Sequence, residues 1–101
     1  MNREQLLKEI AESQVKGFEI IKKKNTDYST NEDPFKNFRM WGEIGFAVRM
    51  SDKVSRIQQL IQNGKAEVKD ESLEDTLLDL SNYAHLMLAY LKENLRVVVL
   101  P

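Results

Sequence analysis

The chain of 101 residues contains no cysteine, only two prolines and four glycines, and no excess of either sign of charge. Without cysteine, disulfide frameworks, thiolate zinc sites and cysteine nucleophiles are excluded. Fifteen Lys and Arg stand against sixteen Asp and Glu, whereas a general nucleic-acid-binding protein is normally net basic. We therefore expect no general binding to nucleic acids.

Long hydrophobic runs are also absent. No segment approaches the roughly 18 consecutive apolar residues of a membrane span, and the charged N-terminal residues do not resemble a signal peptide. We therefore expect a cytoplasmic protein without a membrane partner. Hydrophobic residues make up 42% and charged residues 31%, which is typical of a globular chain, and the length predicts one domain over residues 1–101.

Apolar residues recur at helical spacing in three segments. The first predicted helix covers residues 3–24, and Asn2 can form a capping box with Gln5 at its start. A polar stretch, residues 25–33, then ends in an Asp-Pro pair, which favours a short helix over residues 35–41. The sequence thus predicts one long helix followed by a loop that contains a short helix.

The second and third long helices are predicted over residues 43–63 and 70–94. Gly64 is a typical helix-end signal and Asp70 a candidate N-cap. Because the connection is short, the two helices should form an antiparallel hairpin. The apolar tail, residues 96–101, is expected to leave the helix and pack on the domain or on another subunit. The predicted fold class is all-α, a helical bundle of two or three long helices.

The second and third helices each combine an apolar stripe with a charged arc. The stripes, which we expect to form the core, consist of Ile44, Val48, Val54, Ile57 and Ile61, and of Leu73, Leu77, Leu80, Ala84, Leu88 and Leu91. The charged arcs consist of Arg49, Asp52, Lys53 and Arg56, and of Glu71, Asp75, Asp79 and Asn82. If the hairpin folds about Glu67, the numbers of two facing residues add up to about 134, and the two arcs face each other.

Two interpretations fit these facing arcs. In the first they form a lattice of ion pairs, each contributing roughly 0–1 kcal/mol when exposed. In the second they form a functional site, because the carboxylates of the third helix repel one another at i, i+4 spacing. A bound Mg²⁺ held by Asp52, Glu71, Asp75 and Asp79 would relieve this repulsion. Arg49, Lys53 and Arg56 would then bind phosphate oxygens, with Asn82 beside them.

The segment between the first and second long helices is a second candidate site. Its candidate ligand-binding residues are Lys24, Asn25, Asp27, Tyr28, Asn37, Arg39 and Trp41. Planar bases are commonly held by aromatic stacking and amide hydrogen bonds, which this set of residues offers. The alternative is that the aromatic residues only cover one end of the helices.

Four motifs occur in a fixed order along the chain: K-N-x-D-Y-S at 24–29, P-F-x-N-F-R at 34–39, R-x-x-D-K-x-x-R at 49–56 and E-S-x-x-D-T-x-x-D-L-x-N-Y-A at 71–84. Together they resemble the nucleotide modification associated domain 1 family, found mostly in phages and in bacteria that carry phage genes. The resemblance spans residues 18–90 and implies a ligand related to modified nucleotides, without specifying a reaction.

More distantly, the pattern is similar to the MazG-like all-α nucleoside triphosphate pyrophosphohydrolases. That similarity implies Mg²⁺, hydrolysis of a nucleotide with Asp52, Asp75 and Asp79 as catalytic carboxylates, and a homodimer or larger homo-oligomer. The chain departs from that pattern, because its second long helix offers one carboxylate, Asp52, where those enzymes have a Glu-x-x-Glu pair.

Three functions therefore stay open from the sequence. The chain could be a Mg²⁺-dependent nucleotide pyrophosphohydrolase, or a protein that binds and sequesters a nucleotide or cyclic-nucleotide signal without cleaving it. The third is a structural oligomerisation domain, in which the charged arcs only form ion pairs.

Overall fold

The protein is all-α, as the helical spacing predicts. A computed structural model describes residues 1–63 and 72–99, except for the side chains of Tyr28 and residues 95–99. Three α-helices are present in these ranges: α1 (Arg3–Tyr28), α2 (Gly42–Gln62) and α3 (Leu73–Val99). A short 3₁₀ helix, Lys36–Phe38, lies between α1 and α2, and the described residues contain no strand.

The chain divides into two compact units, Met1–Lys36 and Asn37–Pro101. The first unit consists mainly of α1, which begins with the predicted capping box. The Asn2 side chain accepts a hydrogen bond from the Gln5 backbone N–H, and the Gln5 side chain accepts one from the Asn2 N–H. These bonds satisfy N–H groups that a helix start leaves without an intrahelical partner. The division into units does not test the prediction of a single domain.

The second unit is built on the antiparallel hairpin of α2 and α3, with an aromatic cluster at its open end. The Phe46 ring is fully buried, stacks on Phe38 at 4.2 Å between ring centroids and packs against Tyr90 at 5.3 Å. Phe38 also meets the edge of Tyr83. Aromatic pairs in these geometries contribute beyond the burial of their area, so this cluster fixes how the start of α2 lies against α3.

The middle of the hairpin is held by an ion pair. Lys53 Nζ of α2 is 3.2 Å from Asp79 Oδ2 of α3, which lies within two residues of the predicted register. The charged arcs of the two helices therefore face each other, as predicted. Near the other end, Leu60 is buried, so the hairpin interior combines apolar ends with a polar centre.

Several predicted helix boundaries were wrong. Helix α1 continues through Asn25 to Tyr28, so the polar stretch begins four residues later than predicted, and a 3₁₀ helix replaces the short helix over residues 35–41. Helix α3 begins after Ser72, whose hydroxyl accepts a hydrogen bond from the Asp75 N–H. The predicted caps Asp70 and Gly64 lie outside the described residues.

The predicted end of α3 was also wrong. The helix extends to Val99, whereas the β-branched tail was expected to leave it near residue 94. β-Branched residues lower helix propensity only slightly, so three consecutive valines do not stop a helix that the preceding turns have already established.

The predicted core stripes were the second error. Ile44 and Val48 are more than half exposed, and so is Leu88. The predicted stripes follow the most apolar arc of each helix. The arcs that face each other in the structure instead carry the aromatic cluster and the Lys53–Asp79 pair. The most apolar arcs consequently lie about a quarter-turn away from the helix contact.

The hairpin therefore has two different sides. A helix turns by about 100° per residue. In an antiparallel pair, two residues that are rotated by the same angle from the contact line, one on each helix, therefore lie on the same side of the hairpin. We define the apolar side by Val54, Ile61, Leu73, Leu77, Leu80 and Leu91, which lie about 80–160° from the contact line in one sense. We define the polar side by Arg49, Asp52, Arg56, Asp75, Asn82 and Glu93, which lie in the other sense.

Gly42, the first residue of α2, has a φ of +58°, a region that side chains with a Cβ adopt at a cost of roughly 1–2 kcal/mol. A Cβ at this position would lie 3.5 Å from Tyr90 Oη, which is ordinary contact distance. We therefore expect Gly42→Ala to lower the free energy of unfolding by about 1–2 kcal/mol, measured by urea denaturation.

Gly42→Asn is the matched control, because asparagine tolerates positive φ better than alanine. Gly42→Asn should lower the free energy of unfolding by less than Gly42→Ala does, although its side chain is larger. If Gly42→Ala stabilises the protein instead, the backbone at the start of α2 does not require the left-handed conformation.

Candidate functional site

The candidate site begins with the polar centre of the hairpin. The side chains of Lys53 and Asp79 are each 23% exposed, Asn82 is buried, and Arg56 is partly buried. Arg49 and Asp52 are exposed on the polar side of α2, within about one turn of Lys53. Hydrogen-bonding and charged groups from both helices are thus concentrated at one level of the hairpin.

The predicted Mg²⁺ ligands lie on both helices, and the three that are described have different surroundings. Asp79 pairs with Lys53, and Asp52 is exposed. Asp75 is exposed at the start of α3, where its Oδ2 accepts a hydrogen bond from the Ser72 N–H at 3.3 Å. Glu71 lies outside the described residues. Within the described ranges, no three acidic, histidine or cysteine side chains are grouped so that they could hold a metal ion.

Two of the predicted Mg²⁺ ligands already have partners within the protein. A lysine amine at 3.2 Å competes with a cation for the Asp79 carboxylate, and the carboxylate of Asp75 is used in helix capping. Mg²⁺ binding stays a prediction.

Arg39, predicted to bind ligand, takes part in a second polar cluster in the same unit. Its guanidinium Nη2 is 3.1 Å from Glu93 Oε1 and its Cζ lies 5.9 Å from the centre of the Tyr90 ring. Both partners of the ion pair are about 40% exposed, so the pair contributes little to stability. Its effect is to hold the segment before α2 against α3.

The other predicted ligand-binding residues before α2 have varied surroundings. Asn37 is exposed, and Trp41 is 65% exposed, which leaves its indole ring accessible. In the first unit, Lys24 and Asp27 are exposed, while the side chain of Tyr28 is not among those described. Asn25 Nδ2 donates a hydrogen bond of 2.8 Å to the Pro34 carbonyl and so closes the loop that follows α1.

The comparisons with known proteins supply the family. The model of the family described as nucleotide modification associated domain 1 matches residues 24–91, which is more than half of the chain and includes α2 and most of α3. The chain belongs to the nucleotide modification associated domain 1 family. The resemblance predicted from the four motifs is thereby confirmed.

Membership in the nucleotide modification associated domain 1 family does not extend to the more distant similarity. Nothing in the comparisons supports the resemblance to MazG-like pyrophosphohydrolases, and no curated protein and no solved structure matches the chain. Within the described residues of this family member, no helix combines the length and hydropathy needed to cross a membrane.

Sequence reasoning missed one residue of the polar side in this nucleotide modification associated domain. Glu93 pairs with Arg39, yet the carboxylate arc of α3 was followed only as far as Tyr90. The signal was available, because Glu93 lies three residues beyond Tyr90 and eleven beyond Asn82, spacings that return to nearly the same side of a helix. Following the arc through one more turn would have included it.

Proposed function

We propose that this protein binds a nucleotide and that the polar side of the α2–α3 hairpin holds the phosphate groups. Lys53, Arg56 and Arg49 supply the positive charge, and the two arginines offer the planar, bidentate geometry that suits phosphate oxygens. Asn82 supplies an amide for a sugar or base. The exposed Trp41 indole in the same unit is the candidate stacking surface.

The observation that carries this proposal is the polar centre of the hairpin. Removing a charged pair from water costs free energy that its mutual attraction often does not recover. A pure stability requirement would favour apolar residues at these positions, yet Lys53 and Asp79 are both more than three-quarters buried beside a buried Asn82. We infer that charged groups kept at such a cost serve the binding of a ligand.

The family supports the class of ligand. Its description refers to nucleotide modification, which favours a nucleotide or a nucleotide precursor as the ligand. The near-neutral net charge of the whole chain fits a small anionic ligand held by a local basic cluster better than it fits a long nucleic acid.

The proposal predicts that Arg56→Ala weakens nucleotide binding at least 10-fold, with EDTA present. Loss of one charge-assisted, bidentate phosphate contact removes roughly 1.5–3 kcal/mol, and 1.4 kcal/mol is a factor of ten. A thermal-shift screen of nucleoside mono-, di- and triphosphates identifies the ligand first, and calorimetric titration then gives the dissociation constants of wild type and variant.

Lys92→Ala is the matched control, because Lys92 is an exposed cation of the same unit on the side of α3 away from α2. This substitution should change the dissociation constant of the nucleotide by less than twofold from the wild-type value. An equal loss of affinity in both variants would mean that the overall positive charge of the unit, and not the polar side of the hairpin, attracts the ligand. Product analysis of the same samples with Mg²⁺ decides between hydrolysis and binding alone.

A further inference from the structure

The apolar side of the hairpin exposes several large hydrophobic side chains along both helices. Val54, Ile61, Leu73 and Leu77 are between 38% and 63% exposed, and Leu80 and Leu91 are partly exposed. None of these six residues is charged, and in the described parts of α2 and α3 helical spacing places one charged residue, Glu43, on this side, at the end near Leu91. Exposed hydrophobic residues scattered singly are normal on a protein surface, but a contiguous patch indicates an interaction site.

The apolar side is large enough to form an interface. From Leu73 to Leu91 a helix rises by about 27 Å, and two helices about 8–10 Å apart present a face about 18–20 Å wide. The projected area is thus about 500 Å², at the upper end of what monomeric proteins leave exposed. Two such faces together bury about 1,000 Å², the lower limit for a specific interface.

We propose that this face is the interface of a homodimer, in which two hairpins pack through their apolar sides into a four-helix bundle. An interface with twofold symmetry must be complementary to itself. The charged residue of this face, Glu43, lies at one end, so two copies that pack in antiparallel orientation keep their like charges far apart. A second hairpin also matches the face in length and in width. Four-helix bundles close a core of this kind from two antiparallel pairs.

This inference does not depend on the proposed nucleotide site. The polar side lies on the opposite side of the hairpin and stays available in the dimer, so that each copy keeps its own Lys53–Asp79 centre. Failure of nucleotide binding would leave the dimer unaffected, and failure of dimerisation would leave the nucleotide proposal to its own test.

The test is sedimentation equilibrium of the full chain between 1 and 200 µM, a range chosen to be roughly wide enough for a standard interface. We expect a mass of 23.6 kDa, which is twice 11.8 kDa. Leu77→Glu should raise the dissociation constant at least 100-fold, because it places a charge in the apolar interface. Val48→Glu is the matched control: Val48 is also more than half exposed but lies on the far side of α2, and the dimer should persist.

Circular dichroism at 222 nm verifies that each variant keeps its helices, and Ile61→Glu replaces Leu77→Glu if the latter fails to fold. A monomeric wild type at 200 µM overturns the proposal, and a loss of stability on Leu77→Glu in that monomer would mean that the chain covers the face itself. Dissociation by Val48→Glu but not by Leu77→Glu or Ile61→Glu also overturns it, since the interface would then lie elsewhere.

Discussion

Replacing Phe46 by alanine should lower the free energy of unfolding by about 3–5 kcal/mol, the usual cost of truncating a buried phenylalanine. Phe46 is fully buried and joins Phe38 on one side to Tyr90 on the other. The truncation therefore opens a cavity between the start of α2 and the second half of α3. Because small domains are stable by only about 5–15 kcal/mol, the expected loss is a large share of the total. Urea denaturation followed by circular dichroism measures it.

Ile44→Ala is the control that makes this measurement decisive. Ile44 lies two residues earlier on the same helix and is 64% exposed, so its truncation should change stability by no more than about 0.5 kcal/mol. The apolar stripe drawn from the sequence predicts the reverse order, with Ile44 in the core. Equal or greater destabilisation by Ile44→Ala would contradict the packing of α2 described above.

The double variant Lys53→Met with Asp79→Leu should be as stable as wild type, or more stable by about 1–4 kcal/mol. Replacing a buried ion pair by apolar residues of similar volume is often neutral or stabilising. The side chains here are 23% exposed, which favours the lower part of that range. Chemical denaturation of the double variant and of wild type measures the difference in their free energies of unfolding.

The two single variants complete this cycle. Asp79→Leu alone leaves the Lys53 amine partly buried beside an apolar side chain, and should cost about 1–3 kcal/mol. Lys53→Met alone leaves the Asp79 carboxylate in the same position and should also destabilise. If the double variant is instead clearly less stable than wild type, the pair contributes to stability, and the reason to assign it a function disappears.

The fold class followed from the sequence because each helix carries its own signals. The capping box of Asn2 and Gln5 and the short connection between the second and third helices are local features, and both were read correctly. The end of α1 was misplaced, because a polar segment such as residues 25–28 is compatible with either helix or loop. The intrinsic preferences of these residues differ by only tenths of a kcal/mol.

The packing face of each helix could not be predicted in the same way. Periodicity identifies an apolar arc, but the choice of the arc that meets a neighbour depends on residues far apart in sequence. In this hairpin the Phe38–Phe46–Tyr90 cluster and the Lys53–Asp79 pair determine that choice, and the leucine arc of α3 lies to one side. The register was predictable to within two residues, because the short connection between the two helices set the expected midpoint of the hairpin.

Some features of the candidate site could be predicted from the sequence and others could not. The charged arcs were identified from spacing, and their juxtaposition followed from the hairpin. The partners within the site were not: Asp75 caps α3 through Ser72, and Arg39 reaches Glu93 across more than fifty residues. These contacts depend on where each helix begins and on how the segment before α2 lies, which spacing alone does not determine.

The most direct test of the proposed function is calorimetric titration of the wild type and of the Lys53→Met, Asp79→Leu double variant with the nucleotide found in the thermal-shift screen, in EDTA. The double variant is expected to keep its stability and to bind about 10-fold more weakly than wild type, because it lacks one phosphate-binding cation. Binding that survives unchanged in a stable double variant would contradict a nucleotide site on the polar side of the hairpin.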